Sequence, residues 1–239
     1  MKIDIITIFP ELFNNFLNTS IIKRAQDKSL IELNVHNLRD YTKNKHKNVD
    51  DTPFGGGEGM LMQVEPFDLA LKVHKNNDSH VVLLSPQGQI FDQDKAKDLA
   101  TKKHLILLCA HYEGVDDRIT HFIDEEISIG DFILTGGEIP AMVLSDAVIR
   151  LIPDVILEES HKNDSLEDNL LKYPQYTKPR EYKGYKVPDI LLSGNHQEIQ
   201  KWREYMRIKN TALKRPDLLK KAKLNEEEKQ ILKKIEINK

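Results

Sequence analysis

The sequence predicts an α/β fold built on a parallel sheet, followed by a smaller helical segment, and three observations carry that prediction. Leu105–Cys109 is an apolar run without alternation, the mark of a strand covered on both faces. A short strand opening into a polar, glycine-bearing loop occurs three times. Val81–Leu84 runs into Ser85-Pro86-Gln87-Gly88, Leu105–Cys109 into Ala110-His111-Tyr112-Glu113-Gly114, and Glu126–Gly130 into Asp131–Gly137. Loops that leave the same ends of neighbouring parallel strands face one another, and α/β sheets bind ligands in that crevice. Finally, the charge changes sign late in the chain. Residues 1–171 carry 17 Lys/Arg against 29 Asp/Glu, whereas residues 172–239 carry 18 against 9. A basic segment joined to an acidic one points to a polyanion held by the tail, with incidental lysines on a solvated helix as the bland alternative.

In chain order, Lys2–Phe9 is β-branched, stops at Pro10 and predicts a buried strand. Glu11–Leu17 predicts a short helix, and Ser20 a cap for another reaching Lys28. Leu30–Leu38 alternates as a strand does. Arg39–Glu58 is polar, with little helix or strand signal, and runs into a cluster of four glycines at Gly55, Gly56, Gly57 and Gly59. Such a stretch is either built for close backbone approach or a flexible surface loop. It is neither nucleotide fingerprint: Met60 stands where the dinucleotide pattern needs glycine, and no Gly-Lys-Ser/Thr occurs. Pro66–His74 predicts a helix. Val81–Leu84, a helix from Asp92 to Lys103 and Leu105–Cys109 make a βαβ unit. Val115–Phe122 predicts a short helix and Ile139–Ile152 a longer one, ended by Pro153.

Glu158–Leu166 is polar and aperiodic and predicts a linker, dividing the chain into residues 1–157, 158–166 and 167–239. Beyond it, Asn195 with Glu198 makes a capping box for a helix to Leu213, and Asn225 with Glu228 for one to Ile237. Trp202, Met206 and Leu213 are spaced as core. Arg203, Arg207, Lys209, Lys214, Arg215, Lys220, Lys221 and Lys223 form the expected basic surface. The single cysteine, Cys109, excludes an intrachain disulfide and a cysteine-rich zinc site. No apolar run approaches the roughly 20 residues a membrane span needs, and the N-terminus lacks the features of a secretion signal, so a cytoplasmic protein is expected. His111 and His121, near Asp116, Asp117 and Asp124, fit no zinc spacing and read as surface polar residues.

The ordered set of IFPELF (8–13), VDDTPFGGGEGMLM (49–62), LSPQG (84–88), CAHYEGVDDR (109–118), EEISIGDFILTGGEIPAM (125–142), DAVIRLIP (146–153), LLKYPQYTKP (170–179) and VPDILLSGNH (187–196) resembles the bacterial tRNA (guanine-N1)-methyltransferases of the TrmD type, in the SPOUT superfamily. That resemblance implies a SPOUT-type methyltransferase domain whose loops form a deep trefoil knot, a small all-helical C-terminal domain that holds tRNA, and a homodimer sharing each active site between subunits. It implies S-adenosyl-L-methionine as methyl donor, magnesium as an aid to transfer, and no DNA. Carried over residue by residue, the donor site is Leu84, Ser85, Pro86, Ala110, Tyr112, Glu113, Gly114, Ile129, Gly130, Asp131, Phe132, Ile133, Leu134, Gly136 and Gly137. Ala110 and Phe132 stand where relatives have glycine and tyrosine. Asp164 matches the family's general base and Arg150 its partner. On their own residues these two read as a solvated acid and a helix-end charge; the resemblance reverses both. A non-catalytic RNA-binding protein of the same fold is the rival reading.

Overall fold

Five parallel strands organise the first half of the chain: β1 Lys2–Thr7, β2 Glu32–Asn37, β3 Ser79–Ile90, β4 His104–Cys109 and β5 Glu125–Ser128. The computed structural model describes residues 1–157 and 164–237. The sheet order is β2-β1-β4-β3-β5, so β1, β4 and β3 are central. Both faces of the central strands are covered, which is why their sequences run apolar without alternation. Odd and even positions part cleanly. Ile3, Ile5, Val82, Leu84, Leu105, Leu107 and Ile127 pack with residues of helices α1 (Ser20–Asp27), α3 (Gln93–Ala100) and α4 (Glu138–Ile149). Ile6, Val81, Leu83, Ile106 and Leu108 pack with Phe67, Ala70 and Leu71 of α2 (Val64–His74). Each such side chain fully removed from water contributes about 1.5–3 kcal/mol, which fixes the strand faces and hence the register.

Several expectations shift. The strands ending at Cys109 and Ser128 are not neighbours, because β3 lies between them. β3 also does not stop at Leu84. It continues to Ile90, and both Leu84 and Gln89 stand opposite Ile127, so Ser85–Gly88 is a bulge inside the pairing. Thr19, not Ser20, precedes α1, and it provides no side-chain cap. The expected helix at Val115–Phe122 is a shorter 3-10 turn, Asp117–His121, capped by Asp116. Within Arg39–Glu58, Asp50–Asp51 pairs antiparallel with Leu61–Met62.

The chain divides into two compact units, Met1–Glu158 and Glu159–Lys239. Of the expected linker, residues 158–163 lie outside the described residues. In the second unit, α5 (His196–Lys214) starts with the Asn195 side chain accepting from the Glu198 amide at 3.3 Å. The second box is reciprocal: the Glu228 amide donates to Asn225 Oδ1 at 2.9 Å, and the Asn225 amide to Glu228 Oε2 at 2.6 Å, opening α6 (Glu226–Ile237). Ile208, Ala212 and Ile235 form the buried core, with Ile231 and Leu232 against it. Trp202 and Met206 are half-buried, but Leu213 is 54% exposed, because it falls one residue, about 100° of helix, beyond the buried Ala212. Nor is the unit wholly helical. Glu181–Tyr182 pairs antiparallel with Tyr185–Lys186 around Lys183 and Gly184, both with positive φ as a two-residue hairpin loop demands.

Candidate active site

The three glycine-bearing segments converge on one cavity of about 390 Å³, at the bulge of β3 and the ends of β4 and β5, within the usual size range of ligand pockets. Leu84, Ser85 and Pro86 contribute from the bulge, and Ala110, Tyr112, Glu113 and Gly114 from the loop after β4. The loop after β5 adds Ile129, Gly130, Phe132, Ile133, Leu134, Gly136 and Gly137. Asp131 is exposed and lies outside the lining, one place along from Gly130. His111, Ile127, Ser128, Thr135 and Pro140 line the cavity as well, although sequence reasoning left them out.

Backbone contacts tie the loops together. The Gly137 amide donates to the Ala110 carbonyl at 2.7 Å, and His111 bridges Gly136 in antiparallel fashion. A side chain at Gly137 would place its Cβ 2.8 Å from Cys109 Cα and 3.0 Å from the Ala110 nitrogen, so only glycine lets the third loop cross the end of β4. Tyr112 holds a left-handed φ of 59°, a strained position for a bulky residue and one that recurs at functional loops. The glycine cluster after Pro53 is no loose end. Met60 accepts from the Glu113 amide at 3.1 Å, the Met62 amide donates to Gly114 at 2.9 Å, and Glu113 Cγ lies 2.6 Å from where a Gly59 Cβ would stand. Between Phe54 and Gly59 the cluster itself is exposed, Phe54 fully so.

Beneath the loops sits a buried acid. Glu138, the first residue of α4, accepts from Thr7 Oγ1 at 2.7 Å through Oε1, and its Oε2 is 3.7 Å from His111 Nδ1. His111 is therefore no surface residue: its Nδ1 is buried, and its ring packs edge-on against Phe9. The Gly-Gly-Glu start of a helix was the available signal for Glu138. Burial, with the nearby Glu138 charge, pushes the Cys109 thiol well up, which keeps it protonated and removes it as a nucleophile.

Arg150 is the exposed residue that ends α4, in the first unit. Asp164 belongs to the second unit, where its Oδ1 pairs with Lys172 Nζ at 3.2 Å. Lys172 is held in turn: its amide donates to Ser165 Oγ, and the neighbouring Leu171 amide to Thr211 Oγ1 of α5, both at 2.9 Å. Asp164 is thus an anchored carboxylate, a fact its polar neighbours in sequence did not reveal. The basic surface also needs revision, because Arg207 is half-buried between Asp168 and Glu204, and Arg215 pairs with Asp217. Lys214, Lys220, Lys221 and Lys223 are exposed.

Among the described residues, the group with metal-ligand spacing is Asp4, His36 and His74, away from the cavity lining. It is better explained as a hydrogen-bonded charge network. Buried Asp4 meets Lys2 at 2.9 Å, Asn34 at 3.0 Å, His36 at 3.1 Å and His104 at 2.8 Å. Those contacts already occupy its oxygens. Asp116 and Asp124 are likewise engaged, with Arg118 and with the Val81 amide.

The chain has close relatives. The family described as tRNA (Guanine-1)-methyltransferase TrmD matches residues 1–221. A tRNA (guanine-N(1)-)-methyltransferase of Acholeplasma laidlawii is 56% identical over 100% of this chain and 98% of its own length. Those of Dictyoglomus turgidum and Staphylococcus carnosus are 54% and 52% identical, over 98% and 97% of this chain and 96% of each relative. Identity at that level over whole chains, together with the three converging loops, leaves one conclusion: the chain belongs to the TrmD family of tRNA (guanine-1)-methyltransferases.

Proposed function

We propose that this chain transfers the methyl group of S-adenosyl-L-methionine to N1 of the guanine immediately 3′ of the anticodon in tRNA, giving 1-methylguanine and S-adenosylhomocysteine. The observation that carries the reading is the cavity shared by three laced loops, in a chain whose family match covers residues 1–221 and whose relatives align over nearly its whole length. Its lining suits the donor. Backbone amides and carbonyls of tight loops can bind an adenine, apolar Leu84, Ile127 and Ile129 enclose it, and the Glu113 carboxylate suits the cationic end of the molecule. Guanine N1 carries a proton at neutral pH. In this reading Asp164 takes that proton, the N1 lone pair forms the bond to the methyl carbon as its bond to sulfur breaks, and Arg150 offsets the charge gathering on O6. Lys172 holds Asp164 in place.

The reading includes a trefoil knot formed by the loop segments, a C-terminal unit that grips tRNA, and a cytoplasmic homodimer with shared sites. The loop after β5 and the start of α4 support the dimer, because Phe132, Ile133, Ile139 and Val143 are exposed together there. Among the described residues no helix is long and apolar enough to cross a membrane. The residues at the cavity do not make a magnesium site by themselves: Glu113 is the one carboxylate in the lining, where that ion needs several oxygen ligands. No step is assigned to the metal. Incubation with labelled methyl donor and unmodified tRNA tests the proposal, with label on N1 of that guanine expected. Donor and tRNA binding without transfer would instead favour a non-catalytic RNA-binding protein.

A further inference from the structure

Every residue from Gln175 to Lys186 in the second unit is exposed, yet this run ends in a defined hairpin. Tyr182 and Tyr185 stand directly opposite each other in its ladder, so their rings share one face. They are 62% and 82% exposed, and Tyr176, just before, is 49% exposed. Rings left this open contribute little to folding. Cations are interleaved with them. Lys183 Nζ sits 5.5 Å from the Tyr182 ring centroid, Lys178 and Arg180 are exposed, and Lys186 lies 3.8 Å from the one acid of the segment, Glu181.

We propose that this hairpin is an RNA-stacking platform: Tyr182 and Tyr185 take unpaired bases on their faces, while Arg180, Lys183 and Lys186 meet the adjoining phosphates. The inference rests on the tRNA methyltransferase reading for the identity of the RNA, and it specifies which element of the C-terminal unit meets unpaired bases and by what contact. Aromatic faces set among cations match a polyanion whose bases present flat π-surfaces, and bases in loops, free of pairing, are the ones available for stacking. A second copy of the chain fits less well, since seating hairpin against hairpin across a two-fold axis would bring the same cations together.

The experiment uses the full chain and an unmethylated tRNA transcript, with affinity read by fluorescence anisotropy at several salt concentrations. Tyr182→Ala and Tyr185→Ala should each weaken binding by roughly 5- to 150-fold, the range found when a stacking aromatic is truncated, and Phe at either position should restore it. The same loss should appear in KM for tRNA. Lys183→Ala should reduce the slope of log K against log[salt] by about 0.7–0.9 for the phosphate contact it removes. Alanine variants that bind tRNA as tightly as the wild type would overturn the platform, provided the wild type methylates that tRNA. Variants that lose self-association while keeping RNA affinity would overturn it too and assign the hairpin to a second copy. If the wild type transfers no methyl group but its RNA affinity still depends on the two rings, the platform stands and the enzymatic reading falls.

Discussion

Replacing Gly88 by alanine tests how the first unit builds its cavity. Gly88 closes the bulge between Leu84 and Gln89, and its φ lies outside the left-handed region, so backbone strain plays no part. The obstacle is steric. An added Cβ would stand 2.4 Å from both the Glu126 carbonyl carbon and the Ile127 nitrogen, and 2.6 Å from the Glu126 oxygen. Carbon contacts settle near 3.5 Å or beyond, so one segment must retreat by about 1 Å. Both are backbone in a paired sheet and neither can rotate aside. Overpacking of this kind costs about 1–3 kcal/mol, and the upper end is expected here. At about 2–4 °C per kcal/mol for a domain of this size, the melting transition of the first unit should fall by roughly 6–12 °C. The retreat also displaces Leu84, Ser85 and Pro86 from the cavity wall, so donor affinity should drop at least about tenfold, since misplacement by an ångström has effects of that order or more. Calorimetric melting and titration with S-adenosylhomocysteine read the two effects. Gln87→Ala, at an exposed neighbour, serves as the control and should stay within about 0.5 kcal/mol of wild type. If Gly88→Ala matches that control in both measurements, the bulge is free to move and the steric argument is wrong.

Asp164→Asn should retain donor binding and lower the single-turnover rate by roughly 10²–10⁴, the usual share of general base catalysis; normal turnover in folded protein would remove Asp164 from the mechanism. Asp4→Asn should destabilise the first unit by about 3–5 kcal/mol, as removing one partner from a buried charge network does, measured by denaturant unfolding. Burial raises the Asp4 carboxyl, but hydrogen bonds from His36, Lys2, Asn34 and His104 outweigh it and hold the group well below the usual carboxylate range. The folded state therefore takes up this proton less readily than the unfolded chain. The stabilisation is complete above the unfolded value of about 4 and is lost as pH falls below it, so wild type and Asp4→Asn should converge in acid; a gap that stays constant would refute the assignment. For the shared site, Asp164→Asn and Gly136→Trp chains should each be inactive alone. Co-expressed, about half of the dimers are mixed and each recovers one site, giving activity near a quarter of wild type, whereas inactive purified mixed dimers would place both groups in cis.

The strands and most helices were legible because their signals are local. Apolar runs without alternation at Val81–Leu84 and Leu105–Cys109 already state that both faces are covered, and Asn195 with Glu198 closes its cap within one turn. The converging loops were legible for a related reason: a strand end followed by glycine is a local pattern, and parallel strands send their loops to one edge. Strand order was not local. Nothing within Ser79–Ile90 says that it will lie between β4 and β5, or that four of its residues will bulge past Ile127.

The residues that sequence reasoning misjudged share one property, that their surroundings come from distant parts of the chain. His111 reads as a polar surface residue until Phe9 and Glu138 close on it, and nothing in the sequence singles out Asp4 until Lys2, Asn34, His36 and His104 surround it. Arg207 likewise reads as surface until Asp168 pairs with it, and Leu213 was misplaced because a correct helical period does not say which face the neighbouring helix covers. By itself the sequence determined the α/β class, the family and the three loops, because periodicity, glycine spacing and ordered motifs are written along the chain. Tertiary structure decided which strands adjoin, which glycines leave no room for a Cβ and which charges are buried in pairs, because those depend on distances between atoms that the chain keeps far apart until it folds.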